Sequence, residues 1–356
     1  MRNVSYAQAL EAAIFEEMKR DDKIYYMGED VGVFGGAITK LFSLYQNFPE
    51  RVMDMPLDEK GFTGIAVGMA WMGLRPIVEF MYPDFLVLAM NEIAHGACKE
   101  YWLSNQKVPV PMVIRSAQGI GSQCGAHHSE CVEAWVMNYP GIKIAVPTFP
   151  EDAYGMMKYA IRDNDPVLWL DCRTTCYTEH ADIPEAEEDA LIPFGQARIR
   201  REGTDVTIVA WHKLLKDALA AAEDLEKQGI SCEVIDPRTL IPFDIDTVLA
   251  SIRKTGHLVI AHEANVRGGF GAEIAAQVTE REAGALKAPI VRVGTPNTYI
   301  PVGMVEWQIV PDKMDVIRAV KKTLGRELLE EALNHSSYAN EHRSAEVSSN
   351  ERLEFL

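Results

Sequence analysis

Through roughly the first half of the chain, short apolar runs rich in β-branched residues alternate with helical patterns. The predicted strands are 24–28, 76–81, 111–115, 143–147 and 167–171. A helix is predicted over 151–162, directly before the last of these strands. Strands that alternate with helices form βαβ units, in which the strands lie parallel and the helices cover the sheet. The alternation therefore predicts an α/β fold built on a largely parallel sheet.

A second α/β series follows a polar, acidic, proline-containing segment at 178–195, which has the composition of an interdomain linker and which we interpret as one. Its predicted elements are strands at 205–211, 231–237, 257–263 and 289–294, a helix at 213–229 and a last helix near 313–333. We therefore predict two domains, 1–185 and 196–333, joined by a linker at 186–195. Residues 334–356 are polar and have no periodicity, which predicts a disordered tail.

Composition restricts the class of protein and its partners. The 356 residues are 47% hydrophobic and 24% charged, as in a soluble globular protein. The formal net charge of −17 argues against nucleic acid or an anionic membrane as the main partner, and it favours a basic docking partner. We see no apolar run long enough for a membrane span and no signal-peptide core, so we expect a cytoplasmic protein. The N-terminus instead predicts an amphipathic helix with a capping box formed by Ser5 and Gln8.

The cysteines lie in separate segments and do not form the paired CxxC units of a zinc site. The nearest approach to such a unit is the pair Cys172 and Cys176. We therefore expect reduced thiols and predict no metal bound by them. The six cysteines are Cys98, Cys124, Cys131, Cys172, Cys176 and Cys232.

Residues 54–81 place an acidic residue, Glu59, directly before a predicted helix of small apolar side chains. Gly61 and Gly64 on that helix would let another backbone or a flat ring approach closely. A carboxylate held against an apolar wall has a raised pKa, because desolvation penalises its charged form. Such a group can share a proton with a heterocycle nitrogen near neutral pH. The alternative is that Asp58 and Glu59 are first-turn acids favoured by the helix dipole.

The same segment closely resembles the beta subunits of thiamine-diphosphate-dependent 2-oxoacid dehydrogenases. These are the decarboxylating components of the pyruvate, branched-chain 2-oxoacid and acetoin dehydrogenase complexes. The similarity runs in order through GEDVGVFGGA (28–37), GLRPIVEFM (73–81), HHSECVEAW (127–135) and GGFGAEIA (268–275), and it covers nearly the whole chain before the C-terminal tail. It implies a transketolase-like pyrimidine-binding domain followed by a transketolase C-terminal domain, both with mostly parallel sheets.

The resemblance implies that thiamine diphosphate is a cofactor and that Glu59 donates a proton to its pyrimidine ring nitrogen. The other positions that match the family's cofactor-binding residues are Glu29, Leu57, Asp58, Met81 and Phe85. An aromatic face against the flat ring is physically reasonable. Without the resemblance, Met81 and Phe85 would be read as ordinary core residues.

His128 lies in the glycine-containing loop GAHHSE and matches a His-Ser pair at the mouth of the family's site. The resemblance implies that this histidine contacts the substrate-derived intermediate and assists acyl transfer to lipoamide. A solvated loop histidine is the alternative. Three positions depart from the family pattern, namely His127, Glu130 and Leu88, and they leave the choice of 2-oxo acid open.

The segment AIRDNDP at 160–166 resembles a loop that binds potassium through backbone carbonyls in some relatives. The matching ligands are Met112, Ala160, Ile161, Asp163 and Asp165. Oxygen ligands from a turn suit an alkali cation. The alternative is a plain helix C-terminus followed by a turn before Pro166.

The GDG motif that holds the diphosphate and magnesium in full-length thiamine-diphosphate enzymes occurs nowhere in the 356 residues. Magnesium needs such a set of oxygen ligands. The resemblance therefore implies an alpha subunit that holds both groups, with active sites at the interfaces of an α2β2 heterotetramer. The run GGFG at 268–271 lacks the GxGxxG register, so we interpret it as a closely packed helix start or a docking point for a partner.

These features lead us to expect a beta subunit that helps to decarboxylate a 2-oxo acid. The acyl group would pass to lipoamide on a dihydrolipoyl acyltransferase core, whose basic module suits the acidic chain. An acetoin-type or other thiamine-dependent lyase is the enzymatic alternative, and product identity would separate the two. A non-catalytic scaffold subunit is the alternative from another class, and it would lack cofactor affinity. The missing GxGxxG at a first βα turn disfavours a nicotinamide-dependent dehydrogenase.

Overall fold

The computed structural model describes residues 1–186 and 190–326. The strands are β1 Arg2–Ser5, β2 Ile24–Gly28, β3 Val52–Asp54, β4 Arg75–Glu79, β5 Val113–Gln118, β6 Lys143–Ala145, β7 Val167–Cys172, β8 His180–Ile183, β9 Arg198–Arg201, β10 Val206–Ala210, β11 Cys232–Asp236, β12 Thr239–Ile241, β13 Leu258–Asn265 and β14 Val291–Thr295. Every predicted strand is present, with bounds within three residues of those predicted. The predicted tail, 334–356, lies outside the described residues.

Helices lie between most of the strands. The α-helices are α1 Tyr6–Arg20, α2 Phe42–Asn47, α3 Glu59–Trp71, α4 Glu100–Leu103, α5 Glu133–Val136, α6 Pro150–Arg162, α7 Lys213–Glu226, α8 Ile245–Thr255, α9 Phe270–Glu282, α10 Glu306–Ile309 and α11 Lys313–Thr323. Short 3-10 turns occupy Pro83–Ala89, Ala283–Ala285 and Gly303–Val305, and a π-helical turn occupies Glu92–Ala97. Within the described ranges, no helix is long and apolar enough to cross a membrane.

The largest sheet among the described residues has seven strands in the order β12-β6-β7-β5-β4-β2-β3. Neighbouring strands are parallel except β12, which pairs antiparallel with β6. A second sheet has the order β14-β13-β10-β11-β9 and is parallel except for its edge strand β9. The prediction of two α/β units with mostly parallel sheets is confirmed. Because β12 belongs to the second half of the chain, the two halves are also joined through the first sheet.

The amphipathic N-terminal helix and its capping box are confirmed. The Ser5 hydroxyl accepts a hydrogen bond from the Gln8 backbone N–H at 3.3 Å, and the Gln8 side chain accepts one from the Ser5 N–H at 2.9 Å. The apolar stripe, including Leu10 and Ile14, is fully buried. The helix packs against α6 and closes one face of the seven-stranded sheet.

Two predictions about secondary structure were wrong. The last helix, predicted near 313–333, ends at Thr323, and Gly325 then takes a φ of 69° in the left-handed region that stops helices. The segment 178–195, read as a linker throughout, contains the strand His180–Ile183, which pairs antiparallel with Arg2–Ser5. Four-residue strands give too short a pattern to detect. The narrower linker at 186–195 stays a prediction.

The GGFG run begins helix α9, as expected from its sequence. Gly269 is the residue before the helix, and the His262 ring lies so close that a side chain on Gly269 or Gly271 would collide with it. His262 in turn stacks on Trp211 with ring centroids 5.0 Å apart. The interpretation as a closely packed helix start is confirmed, and glycine is required because the backbone and the ring are in contact.

A buried polar network joins four neighbouring strands of the large sheet. Arg115 on β5 pairs with Glu79 on β4 and, at 2.8 Å, with Asp171 on β7. Tyr26 on β2 hydrogen-bonds to Glu79, and Tyr6 donates to Asp171 at 2.6 Å. All five side chains are buried, and both acids are paired with Arg115, as buried charges require. The network fixes the sheet just inside its carboxyl edge.

Candidate functional site

The predicted site residues follow the carboxyl ends of adjacent parallel strands. Glu59 follows β3, Glu29 follows β2, Met81 and Phe85 follow β4, and His128 follows β5. In open α/β sheets, ligands bind outside the carboxyl ends of the strands. The fold therefore brings these five residues, which are up to about a hundred positions apart in sequence, to one edge of the sheet.

Two buried acids, Glu29 and Glu59, lie next to each other at this edge. Glu29 is 3% exposed and Glu59 is 7% exposed. Neither carboxylate oxygen of Glu29 has a hydrogen-bond partner among the described residues. Burial, followed by the charges of Glu59 and Asp30, raises the pKa of Glu29 to about 7. The pair can therefore share one proton near neutral pH.

The start of helix α3 explains the position of Glu59. Asp58 is the residue before the helix, and its carboxylate accepts a hydrogen bond from the Gly61 N–H at 3.0 Å. Glu59 is then the first helical residue and points inward, while Asp58 and Leu57 are exposed. The side chain of Asp58 thus acts as a helix cap, in line with the alternative reading of this residue. A role for Leu57 and Asp58 in binding a cofactor stays a prediction.

His128 is held by two aromatic rings. Its ring centroid lies 4.3 Å from that of Tyr82 and 5.6 Å from that of Phe85, and both pairs meet edge-on. Nδ1 of His128 is buried and has no partner among the described residues. The ring is half-buried rather than freely solvated, because it is packed against these neighbours. Gly125, with a φ of 80°, accepts a hydrogen bond from the His128 N–H at 3.2 Å and closes the turn that presents it.

Arg173, which follows β7, fixes the backbone beneath this histidine. Its guanidinium donates to the carbonyl of His128 at 2.6 Å and to the carbonyl of Ala117 at 2.7 Å. It also lies 5.2 Å from the centre of the Tyr82 ring. Sequence reasoning missed Arg173 and Tyr82. Both residues follow predicted parallel strands, and this position at the carboxyl edge of the sheet could have identified them as site residues.

Two further acids, Asp84 and Glu130, approach each other beside His128. The Glu130 N–H donates to the Asp84 carboxylate at 3.4 Å. Burial raises the pKa of Asp84, and burial together with Asp84 raises the pKa of Glu130. Glu130 is one of the three departures from the family pattern, so this departure lies at the site. His127 and Leu88, the other two, are exposed.

The predicted potassium turn is formed by the end of α6 and the residues after it. Asp163 caps the helix and its N–H donates to the Ala160 carbonyl at 3.3 Å. Met112 reaches the same region, since its carbonyl accepts a hydrogen bond from Val167 at 2.9 Å. The turn following a helix C-terminus is therefore present, as the alternative reading expects. Binding of potassium by these residues stays a prediction.

Protein cations already contact three of the predicted potassium ligands. The Arg75 guanidinium donates to the carbonyls of Ile161 and Asp163 at 3.0 and 2.8 Å. The Lys143 ammonium lies 2.6 Å from the Asp163 carboxylate and 3.0 Å from that of Asp165. A potassium ion would have to share these oxygens with two positive side chains. Each carbonyl has a second lone pair with which it could do so.

Comparison with protein-family models gives two matches. The model described as "Transketolase, pyrimidine binding domain" matches residues 2–175, and that described as "Transketolase, C-terminal domain" matches residues 195–316. The residues that follow the carboxyl edge of the large sheet, from Glu29 to Arg173, lie within the first match.

Curated relatives match over most of the chain. The "Pyruvate dehydrogenase E1 component subunit beta, mitochondrial" of Pisum sativum is 41% identical over 329 residues, which is 91% of each chain. The human protein of the same name is 40% identical over 90% of each chain, and the Rickettsia felis beta subunit is 42% identical over 90% of this chain and 98% of its own. Among solved structures, a split gene transketolase, described as an inactive beta4 tetramer, has a TM-score of 0.74 at 26% identity and covers 91% of this chain and 99% of its own.

Proposed function

This chain belongs to the family of pyruvate dehydrogenase E1 component beta subunits, and from that premise we propose that it binds the pyrimidine half of thiamine diphosphate at the carboxyl edge of its large sheet. It is the beta subunit of a decarboxylating 2-oxoacid dehydrogenase component. The reaction would be oxidative decarboxylation of a 2-oxo acid with acyl transfer to lipoamide. The observation that supports the proposed site most strongly is the buried acid Glu29 beside Glu59, because neither carboxylate oxygen of Glu29 has a hydrogen-bond donor among the described residues.

The acid pair suits a heterocycle that must receive a proton. When bound, thiamine diphosphate would supply the nucleophile and the electron sink for breaking the bond to the carboxylate carbon. Glu59 would hold a proton toward the pyrimidine ring nitrogen. Glu29, whose pKa is about 7, would keep the pair at a single negative charge near neutral pH. Met81 and Phe85 would line the flat ring from the neighbouring strand end.

His128 would act on the substrate side of the same edge. Its buried Nδ1 has no hydrogen-bond partner among the described residues, and the ring is packed against the Tyr82 and Phe85 rings. Arg173 would keep the His128 backbone in register with β5 through its two carbonyl contacts. We propose that His128 bonds to the substrate and assists the acyl transfer. Glu130 beside it would affect which 2-oxo acid is accepted, and this departure keeps an acetoin-type activity as the second candidate.

Partners complete the proposed active site. Since the sequence lacks GDG, an alpha subunit would hold the diphosphate and magnesium in an α2β2 heterotetramer. Exposed apolar side chains on and near α3, such as Ile65, Met72 and Leu88, would be covered by another subunit. The acidic chain would dock on a basic module of a dihydrolipoyl acyltransferase core. Potassium at 160–165 and a cytoplasmic location also stay proposals.

The test is a reconstitution with substrate screening. The chain is co-expressed with a candidate alpha subunit, supplied with thiamine diphosphate and magnesium, and assayed for ferricyanide reduction with pyruvate, branched-chain 2-oxo acids and acetoin. We expect activity that needs both chains, and the substrate follows from the screen. A complex that binds the cofactor but is inactive with all of these would point to another substrate. A correctly assembled complex without cofactor affinity would favour the scaffold role and contradict the proposal.

A further inference from the structure

Three side chains with metal-binding atoms meet where the two sheets approach each other. Cys172 ends β7 of the large sheet, His212 follows β10 of the second sheet, and Glu263 lies on β13 beside it. All three are at least 95% buried, with exposed fractions of 0, 1 and 5%. One thiol sulfur, one ring nitrogen and one carboxylate oxygen lie within 4.8 Å of one another. They come from both halves of the chain, so the cluster exists only in the folded protein.

We propose that Cys172, His212 and Glu263 bind a transition metal ion, with zinc as the ion that the donor set fits best. Thiolate, imidazole and carboxylate are the three ligand types that proteins use for Zn²⁺. Magnesium, calcium and potassium favour oxygen donors, so the sulfur and nitrogen atoms argue against them. Binding would replace the thiol proton of Cys172 with the metal and release that proton to solvent. The inference is independent of the proposed thiamine site.

The surroundings of His212 match those of a metal-bound histidine. Its Nε2 lies 3.0 Å from the carbonyl oxygen of Leu170, which requires the ring proton to be on Nε2. The lone pair is then on Nδ1, where the one contact is a 3.4 Å approach of the Gln118 amide. Histidine ligands usually donate their other N–H to a carbonyl or a carboxylate in this way. His212 also has a φ of 55°, a left-handed conformation that is uncommon for a residue with a side chain.

Glu263 supplies a second, independent indication of a ligand. Its Oε2 is buried and has no hydrogen-bond partner among the described residues. Its Oε1 accepts a hydrogen bond from the Ile120 N–H at 3.4 Å. A buried carboxylate oxygen without a donor is costly, because it loses the hydrogen bonds that water would make. A cation bound between Glu263, Cys172 and His212 would satisfy this group.

A cavity of about 500 Å³ gives the cluster a route to solvent. Glu263 and Cys131 both line it, together with other residues from both halves of the chain. An ion could enter from this side, and the Cys131 thiol or a water molecule could supply a fourth ligand. The bound ion would then connect the end of β7 with β10 and β13. We therefore expect it to stabilise the contact between the two sheets.

The test is metal binding by the purified full chain, reduced, stripped of metal and freed of any affinity tag. We expect one equivalent of Co²⁺ or Zn²⁺ per chain by elemental analysis, a cobalt–thiolate charge-transfer band in the near ultraviolet, and a higher melting temperature with zinc. Cys172→Ser should weaken binding by about tenfold or more, since even partners of ligands change affinity by about 10–100-fold. Cys232→Ser is the matched control, because Cys232 is equally buried but lies on β11 outside the cluster.

Glu263→Gln keeps the shape of the side chain and serves as the second variant if Cys172→Ser does not fold. It should weaken binding while it retains the thiolate band. Circular dichroism checks that each variant has the native helix content. No binding by folded wild-type chain in excess zinc would overturn the proposal. So would equal affinity in folded Cys172→Ser or Glu263→Gln and in wild type.

Discussion

Two groups of buried acids lie at neighbouring positions of the same sheet, and they differ in what surrounds them. Glu79 and Asp171 pair with Arg115 and accept hydrogen bonds from buried tyrosines. Glu29, one residue beyond the end of β2, is equally buried, but neither of its oxygens has a donor among the described residues, and the charge that raises its pKa most is that of another acid, Glu59. The first group holds the strands together. The second group, Glu29 and Glu59, destabilises the isolated chain. Buried acids of this kind are typical of ligand-binding and catalytic sites.

The largest effect on turnover is expected from removing the proposed proton donor, Glu59. Glu59→Gln should lower 2-oxoacid-dependent turnover of the assembled complex by about 10²–10⁴-fold, the range for loss of a positioned acid or base. Glu223→Gln, an exposed acid on α7, is the control and should leave turnover unchanged. Turnover of folded Glu59→Gln within a factor of about three of wild type would contradict the role given to Glu59.

Breaking the ion pairs of Glu79 and Asp171 with Arg115 should lower stability rather than activity alone. Arg115→Met leaves Glu79 and Asp171 buried without their partner, and such losses cost about 3–5 kcal/mol of unfolding free energy. Denaturant unfolding of the single chain measures this. Arg51→Met offers a comparison, because Arg51 contacts backbone carbonyls near the protein surface and has no buried acid to leave unpaired. Equal losses in the two variants would show that the buried network has no special role.

A smaller effect on activity is expected at Arg173. Arg173→Ala removes the two hydrogen bonds that fix the backbone of His128 and Ala117, so turnover should fall by about tenfold, equal to about 1.4 kcal/mol of barrier. Because Arg173 acts through His128, Arg173→Lys should recover part of the loss. The double variant His128→Ala/Arg173→Ala should lose no more turnover than His128→Ala alone. Additive losses would indicate a separate role for Arg173.

The smallest effect concerns the cap of helix α3. Asp58→Ala removes the hydrogen bond to Gly61 and should cost about 1 kcal/mol of stability. Thermal unfolding measures it, and Asp58→Asn should restore most of the loss because an amide oxygen can also accept from the helix N–H. If Asp58 also bound the cofactor directly, Asp58→Asn would weaken cofactor affinity without changing the melting temperature.

The parallel strands could be predicted from the sequence because each is a long apolar run. The residues at their carboxyl ends could be predicted because the family resemblance is continuous through them. The sequence was not sufficient for short antiparallel strands such as Arg2–Ser5 and His180–Ile183, which pair with each other although they lie near opposite ends of the first domain's sequence. Arg173 and Tyr82 were missed because their roles depend on contacts with His128. Spacing of the cysteines predicted no metal, yet folding brings Cys172 next to His212 and Glu263, which are 40 and 91 residues further along the chain.

The most direct test of the comparison is the unfolding free energy of Glu29→Gln relative to wild type as pH is varied. Since the pKa of Glu29 rises from 4.5 to about 7 on folding, the folded wild-type chain binds the extra proton, and its stability should fall as pH rises through this range. The variant cannot ionise at this position. We predict that the stability of Glu29→Gln relative to wild type rises progressively between pH 4.5 and about 7. A stability difference between Glu29→Gln and wild type that stays constant over this pH range would contradict the raised pKa of Glu29.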